Sequence, residues 1–172
     1  NPYQKADLPT KGVYRPIGVN RTGVMAVLQL RNDVPKEISA LEWICFGANP
    51  FNTVRPVYTN TDRIPDYLSK VSLDVSTSNF YWTSRLIGAL ADPWFGSTIQ
   101  LIERYQHAVA NESRRIVNEY DAAFKKKKDK KLIDKANKEL AEMAEKESTK
   151  ALTKVLAEAS RHMKCGYNRA DN

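Results

Sequence analysis

The chain has 172 residues, of which 42% are hydrophobic and 27% charged, enough for one domain with its own core. No apolar run approaches the ~18 residues of a membrane span, and the polar first residues lack the apolar stretch of a signal peptide, so neither a membrane helix nor a leader is expected. The formal charge of +7 is unevenly spread, with ten Lys/Arg against eight Asp/Glu in residues 1–100 and seventeen against twelve in residues 101–172.

Residues 24–30 alternate Val24, Ala26, Leu28 and Leu30 with Met25, Val27 and Gln29. Both sets are mostly apolar, which predicts an interior strand covered on two sides. Asn32, Asp33, Val34 and Pro35 supply turn chemistry before a second predicted strand over 40–47. A third spans 54–58, where Pro56 favours a sheet edge or a bulge.

A polar stretch, 72–78 (SLDVSTS), separates this strand-rich region, 1–78, from a helical one, 79–172. Ser78 and Asn79 are candidate N-caps for a helix through Ala91 with Phe80, Leu86, Ile87 and Leu90 on its apolar side. Asp92 and Pro93 end it. From Ser97 to Cys165 there is neither glycine nor proline, and apolar spacings of three and four predict two long helices, about 98–124 and 129–164, packed as an antiparallel pair. The first uses Ile99, Ile102, Tyr105, Val109, Ile116 and Tyr120. Leu140, Met143, Leu152, Val155, Leu156 and Met163 are among the apolar positions of the second, and 145–150 (EKESTK) interrupts that stripe as a bend or break. The fold class is α+β.

Taken alone, the residues offer no catalytic set. Cys45 lies in an apolar run and reads as a small buried hydrophobe; with Cys165 it forms neither a disulfide framework nor a metal pattern, which fits a reducing, cytoplasmic setting. His107 reads as a helix-surface residue and His162 as a partner of a helix C-terminus. The lysine block at 125–131 has no arginine or aromatic interleaving, so a solvated helix end is favoured over nucleic acid. No phosphate loop or metal spacing is present, and no cofactor is expected.

The order of further motifs is more specific. Tyr14-Arg15-Pro16-Ile17-Gly18 precedes Asn20-Arg21-Thr22-Gly23, then Val27-Leu28-Gln29, Phe51-Asn52-Thr53, Tyr58-Thr59-Asn60, Asn79-Phe80-Tyr81-Trp82 and Ala89-Leu90-Ala91-Asp92-Pro93. Over nearly the whole chain this succession resembles the C-terminal part of the bacterial cysteine dipeptidases of the N-terminal-nucleophile (Ntn) hydrolases, related to penicillin V acylase and bile-salt hydrolase. The resemblance implies a layered Ntn sandwich of two sheets between helices, to which this chain gives a few strands followed by a long helical arm. It also implies an N-terminal cysteine whose thiolate attacks the amide while its α-amino group serves as base. Residue 1 here is Asn, so the expectation is a downstream segment that is inactive alone.

The resemblance further implies an arginine near the nucleophile, shortly before a strand. Arg21 matches by position and Arg15 is the second choice. A guanidinium there favours thiolate over thiol and can hold a substrate carboxylate, whereas a turn residue would satisfy backbone carbonyls instead. The implied partners are a dipeptide, the remainder of the dipeptidase chain and a homo-oligomer, with no membrane or nucleic acid. The competing reading is a non-catalytic helical module that docks a protein or an anionic partner.

Overall fold

The computed structural model describes residues 22–164. Three antiparallel strands, β1 (Val24–Leu30), β2 (Ala40–Phe46) and β3 (Arg55–Tyr58), form one sheet in the order β1-β2-β3. Val27 pairs with Trp43, and Trp43 in turn with Pro56. Four helices follow, α1 (Asp66–Ser69), α2 (Phe80–Ala91), α3 (Phe95–Lys127) and α4 (Lys131–Ser160). The mixture is α+β, as expected.

The ends of α2 and the close of α3 have identifiable local reasons. The Asn79 side chain accepts a hydrogen bond from the Trp82 amide at 2.9 Å, satisfying one of the orphan donors of α2. A 3-10 turn over Asp92–Trp94 joins α2 to α3. There Thr98 Oγ1 donates to the Ala91 carbonyl at 3.0 Å, so an otherwise unpaired helix-end acceptor is buried with a partner. Lys128 closes α3 in the left-handed conformation, with φ at 47°, and Lys125, Lys126 and Lys127 occupy the last turn, where cations complement the helix dipole.

Helices α3 and α4 run antiparallel. Near the hairpin turn Arg115 bridges Glu112, Glu119 and Glu139, and Tyr120 donates to Glu139 at 3.0 Å. At the far end Trp94 and His162 stack with centroids 4.2 Å apart. The main core joins Ile38, Leu41, Phe51 and Tyr58 from the strand-rich region to Ile87, Ile102, Ile116, Leu140 and Val155 from the helices. A smaller cluster holds Val57, Tyr67, Leu68, Phe80, Ala141 and Ala144.

Three expectations are corrected. Strand β1, expected in the interior, is a sheet edge among the described residues, and Leu28 and Leu30 are 77% and 80% exposed. Its two apolar faces meet no second layer among the described residues. The 145–150 segment does not break α4, which runs unbroken through it. Ser148 faces inward, its hydroxyl donating to the Ala144 carbonyl at 2.6 Å and meeting Tyr67 Oη at 2.7 Å, so a polar residue occupies a buried position without cost to the helix. Leu156 and Met163, assigned to the apolar stripe, are exposed: Leu156 sits beside the fully buried Val155 but turned from the core, and Met163 lies beyond the end of α4 at Ser160.

Candidate functional site

A cleft of about 380 Å³ opens between the turn after β2 and one side of α2. Its lining is Ser84, Arg85, Gly88 and Ala89 from one face of α2 and Asp92 from the turn that follows it. Opposite stand Gly47, Ala48 and Phe51, and Thr22 closes the margin. The Gly47 amide donates to the Gly23 carbonyl at 2.9 Å, carrying the β1–β2 pairing one residue further. The chain then turns with Gly47 at φ +77°, where a Cβ would meet Asn52 Nδ2 at 3.1 Å. The backbone conformation calls for glycine, and a side chain would also crowd the Asn52 amide.

Asn52 holds the turn by donating to the Ala48 carbonyl at 3.1 Å, and Gln106 of α3 donates to the Asn52 carbonyl at 2.9 Å. Several polar atoms around the cleft remain unused. Ser84 Oγ, Asn52 Oδ1 and Asn49 Oδ1 are buried without a hydrogen-bond partner among the described residues. Ser84 is fully buried, and an idle hydroxyl at a cleft wall is an unusual expense in a folded chain. Arg85 and Asp92 are exposed at the rim, and neither forms an ion pair among the described residues; the Arg85 guanidinium lies 5.8 Å from the Tyr81 ring centroid.

A second polar group lies deeper. Arg55 of β3 is completely buried, rests on the Phe80 ring, and donates through Nη2 to Tyr105 Oη at 3.2 Å, while its Nε and Nη1 have no partner among the described residues. Burial pushes its pKa down. Nearby Cys45 is 1% exposed, and burial raises its thiol to about 11 against the smaller opposing influence of Arg55. A protonated, enclosed thiol is a poor nucleophile, so Cys45 is the small buried hydrophobe expected of it. Sequence reading missed Arg55; the available signal was an arginine flanked by Val54, Pro56 and Val57 in a short strand.

Of the residues singled out in the sequence, Arg21, Arg15 and Cys165 lie outside the described residues. Thr22, the residue after Arg21, lines the cleft. His107 is exposed on α3, His162 packs on Trp94, and the lysines of the 125–131 block are exposed across the end of α3, the turn and the first residue of α4. The cleft is therefore the one place where a described neighbour of a sequence-predicted residue meets unused polar groups. Among the described residues no group of His, Cys, Asp and Glu could hold a metal ion, and no helix is long and apolar enough to cross a membrane.

Comparison with known proteins adds the remaining information. The family described as "Peptidase family C69" matches residues 1–108, which include the strands, the cleft, α2 and the start of α3, and stops short of the lysine block. The chain is 35% identical over 172 residues to "Probable dipeptidase A" of Streptococcus pyogenes serotype M18 (strain MGAS8232), covering 99% of this chain and 36% of that protein. It is 30% identical to "Dipeptidase" of Bifidobacterium longum (strain NCC 2705) over 213 residues, covering 99% and 40%. With "Dipeptidase A" of Lactobacillus helveticus the identity is 29% over 164 residues, covering 94% and 34%. The chain thus spans little more than a third of the length of these relatives.

Proposed function

This chain belongs to peptidase family C69, and from that premise we propose that it is the C-terminal part of a cysteine dipeptidase of the Ntn type, working with a nucleophile supplied by the rest of the protein. The observation that carries the reading is similarity to proteins named dipeptidases along 99% of the chain, although the chain accounts for only 36% of the first of them. The family match ends before the lysine block, which favours this reading over a helical docking module.

The reading also accounts for the open edge of the sheet. Two apolar faces and an edge on β1 that is unpaired among the described residues are what remains of an inner strand when its neighbours belong to another segment. In the reaction proposed, an N-terminal cysteine thiolate adds to the peptide carbonyl carbon after its own α-amino group has taken the thiol proton. The oxyanion so formed collapses to a thioester as the amine leaves with that proton, and water then releases the second product. Arg21 is proposed to stand beside the thiolate and favour its charged form, with Arg15 as the alternative.

The test is hydrolysis of a mixed dipeptide panel. The whole protein is expected to turn over dipeptides and to lose activity on treatment with iodoacetamide, while chain 1–172 alone is expected to be inactive. Turnover by chain 1–172 that disappears when Cys45 or Cys165 is alkylated would overturn the reading. In the whole protein Arg21→Ala is expected to lose about 3 kcal/mol of transition-state stabilisation with little change in melting temperature. Arg21→Lys should recover part of that, since it restores charge but not the planar fork. A kinetic defect in Arg15→Ala with normal kinetics in Arg21→Ala would transfer the role to Arg15.

A further inference from the structure

Exposed apolar side chains scattered singly are ordinary, whereas contiguous ones mark a surface that something covers. Two groups of them lie on this chain. On β1, Val24, Ala26, Leu28 and Leu30 alternate onto one face of the sheet, and all four are exposed. In the strap between α1 and α2, residues 70–79, Leu73 is fully exposed and Val71 and Val75 are each more than half exposed. The strap is tied down at that point. The Trp82 indole donates to the Ser72 carbonyl at 2.8 Å, Asn79 Nδ2 donates to Ser72 Oγ at 3.3 Å, and the Ser72 hydroxyl donates to the Asp74 carbonyl at 2.6 Å. Polar Ser72 is thus fastened to the start of α2, and the apolar residues on either side of it are held outward.

Aromatic rings join the two groups. Val24 pairs with Phe46 at the end of β2, Phe46 meets Tyr81 edge-on with centroids 6.0 Å apart, and Tyr81 meets Trp82 edge-on at 5.2 Å. Phe46, Tyr81 and Trp82 are only partly buried, so an apolar band runs from Leu30 along β1, across the three rings, to Leu73. Resting on the dipeptidase reading, we infer that this band is one docking surface and that its occupant is an apolar face of the remainder of the same protein. The strap is a second anchor, beyond the sheet, that fixes α2 and the turn after β2 against the segment carrying the nucleophile. The chain accounts for only 36% of its Streptococcus pyogenes relative although 99% of it is matched, so most of such a protein lies outside the chain. The family match over 1–108 contains both ends of the band. The outer edge of β1 is unpaired among the described residues, and a segment that adds strands there reaches the band by continuity. A second copy would have to reach it past those strands.

The experiment is hydroxyl-radical footprinting of the whole protein, read by mass spectrometry as the modification rate of each leucine in the folded state against the same leucine in urea. Leu28, Leu30 and Leu73 are expected to react about tenfold or more slowly when folded, since the core of a packed interface excludes water as an interior does. Those rates should hold over about a hundredfold dilution, because cover from the same chain does not depend on concentration. In the whole protein Leu73→Asp should lower the melting temperature by about 3 °C or more, and Leu73→Met by less than about 1 °C. Leu73 reacting as fast folded as unfolded would overturn the inference, as would an unmoved melting temperature in Leu73→Asp. Protection of Leu28 and Leu30 with Leu73 reactive would break the band in two and overturn it equally, and protection lost on dilution would hand the band to a second copy. Hydrolysis of the dipeptide panel is scored on the same sample. Turnover with Leu73 reactive removes the docking surface and leaves the dipeptidase reading, whereas a protected band without turnover does the reverse.

Discussion

The two edges of the sheet are made of unlike sequence and have opposite fates. Strand β3 contains a proline and an arginine in four residues, yet every one of them is buried. Strand β1 is almost wholly apolar and almost wholly exposed. The difference lies in what each edge meets. On β3, Asn137 of α4 donates to the Tyr58 carbonyl at 3.0 Å and accepts from the Tyr58 amide at 2.8 Å, so a side-chain amide substitutes for a further strand. Pro56, which has no donor to lose, suits such an edge. Nothing among the described residues does the same for β1. Hydrophobic sequence thus shows that a strand requires cover without showing what provides it, and a covered edge needs only a few well-placed polar atoms.

The largest effect is expected from the carboxylate that ties both edges to α3. Asp121 pairs with Arg31, just beyond β1, and accepts a hydrogen bond from Tyr58 Oη of β3 at 2.7 Å. Arg31 also donates to the Ile38 carbonyl. Burial, and then the bond to Asp121, pushes the Tyr58 phenol upward, keeping it a donor. Asp121→Ala leaves a largely buried guanidinium without its counter-charge, and about 3 kcal/mol of stability should be lost in urea unfolding. A change below ~0.5 kcal/mol would mean that the edges are not tied there. Next in size, Asn137→Ala strips both backbone groups of Tyr58 of their partners and should cost about 2 kcal/mol. Hydrogen exchange at the Tyr58 amide should rise with it, whereas amides on the outer side of β1 should not change.

A smaller effect separates the central strand from its exposed neighbour. Cys45 of β2 pairs across the sheet with Met25 of β1, yet its thiol is buried and held at about 11 against an ordinary value of 9.0. The unfolded chain therefore releases the thiol proton first, so this contribution to stability is complete below 9.0 and is lost as pH rises toward 11. Tyr105, raised by burial to about 12, acts in the same direction at higher pH. The urea midpoint should fall between about pH 8 and about pH 10, and by less in Cys45→Ala. A midpoint that is flat over that range would contradict the enclosure of the Cys45 thiol.

These contrasts explain what the sequence could disclose. The change of period near Ser78 placed the strands, the N-cap at Asn79 and the helix pair, because those are consequences of local spacing. Burial across elements was less accessible. Ser148 interrupts an apolar stripe in sequence but finds Tyr67, eighty-one residues away, as its partner. Leu28 belongs to an apolar stripe but finds no covering layer among the described residues. The cleft depended on Gly47, Ser84, Arg85 and Asp92 meeting across a turn and a helix, which no single motif announces. The expectation for Arg21 rested on resemblance alone, and of its surroundings only the next residue, Thr22 on the cleft margin, lies within the described fold.

The smallest expected effect is also the sharpest test of the open edge. Leu28 is 77% exposed, so Leu28→Lys removes little buried surface from chain 1–172 and its unfolding free energy should change by less than ~0.5 kcal/mol. If the rest of the protein lays strands and helices over β1, the same substitution in the whole protein puts a cation into an apolar layer. The cost there should reach about 2 kcal/mol or more, through lost burial and an unpaired charge. The ratio between the two measurements is informative even though one of them is near zero. Equal, negligible changes in both would leave β1 facing water in the complete molecule, and the account of it as an inner strand waiting for its neighbours would fail while the sealed edge at β3 stood unaffected.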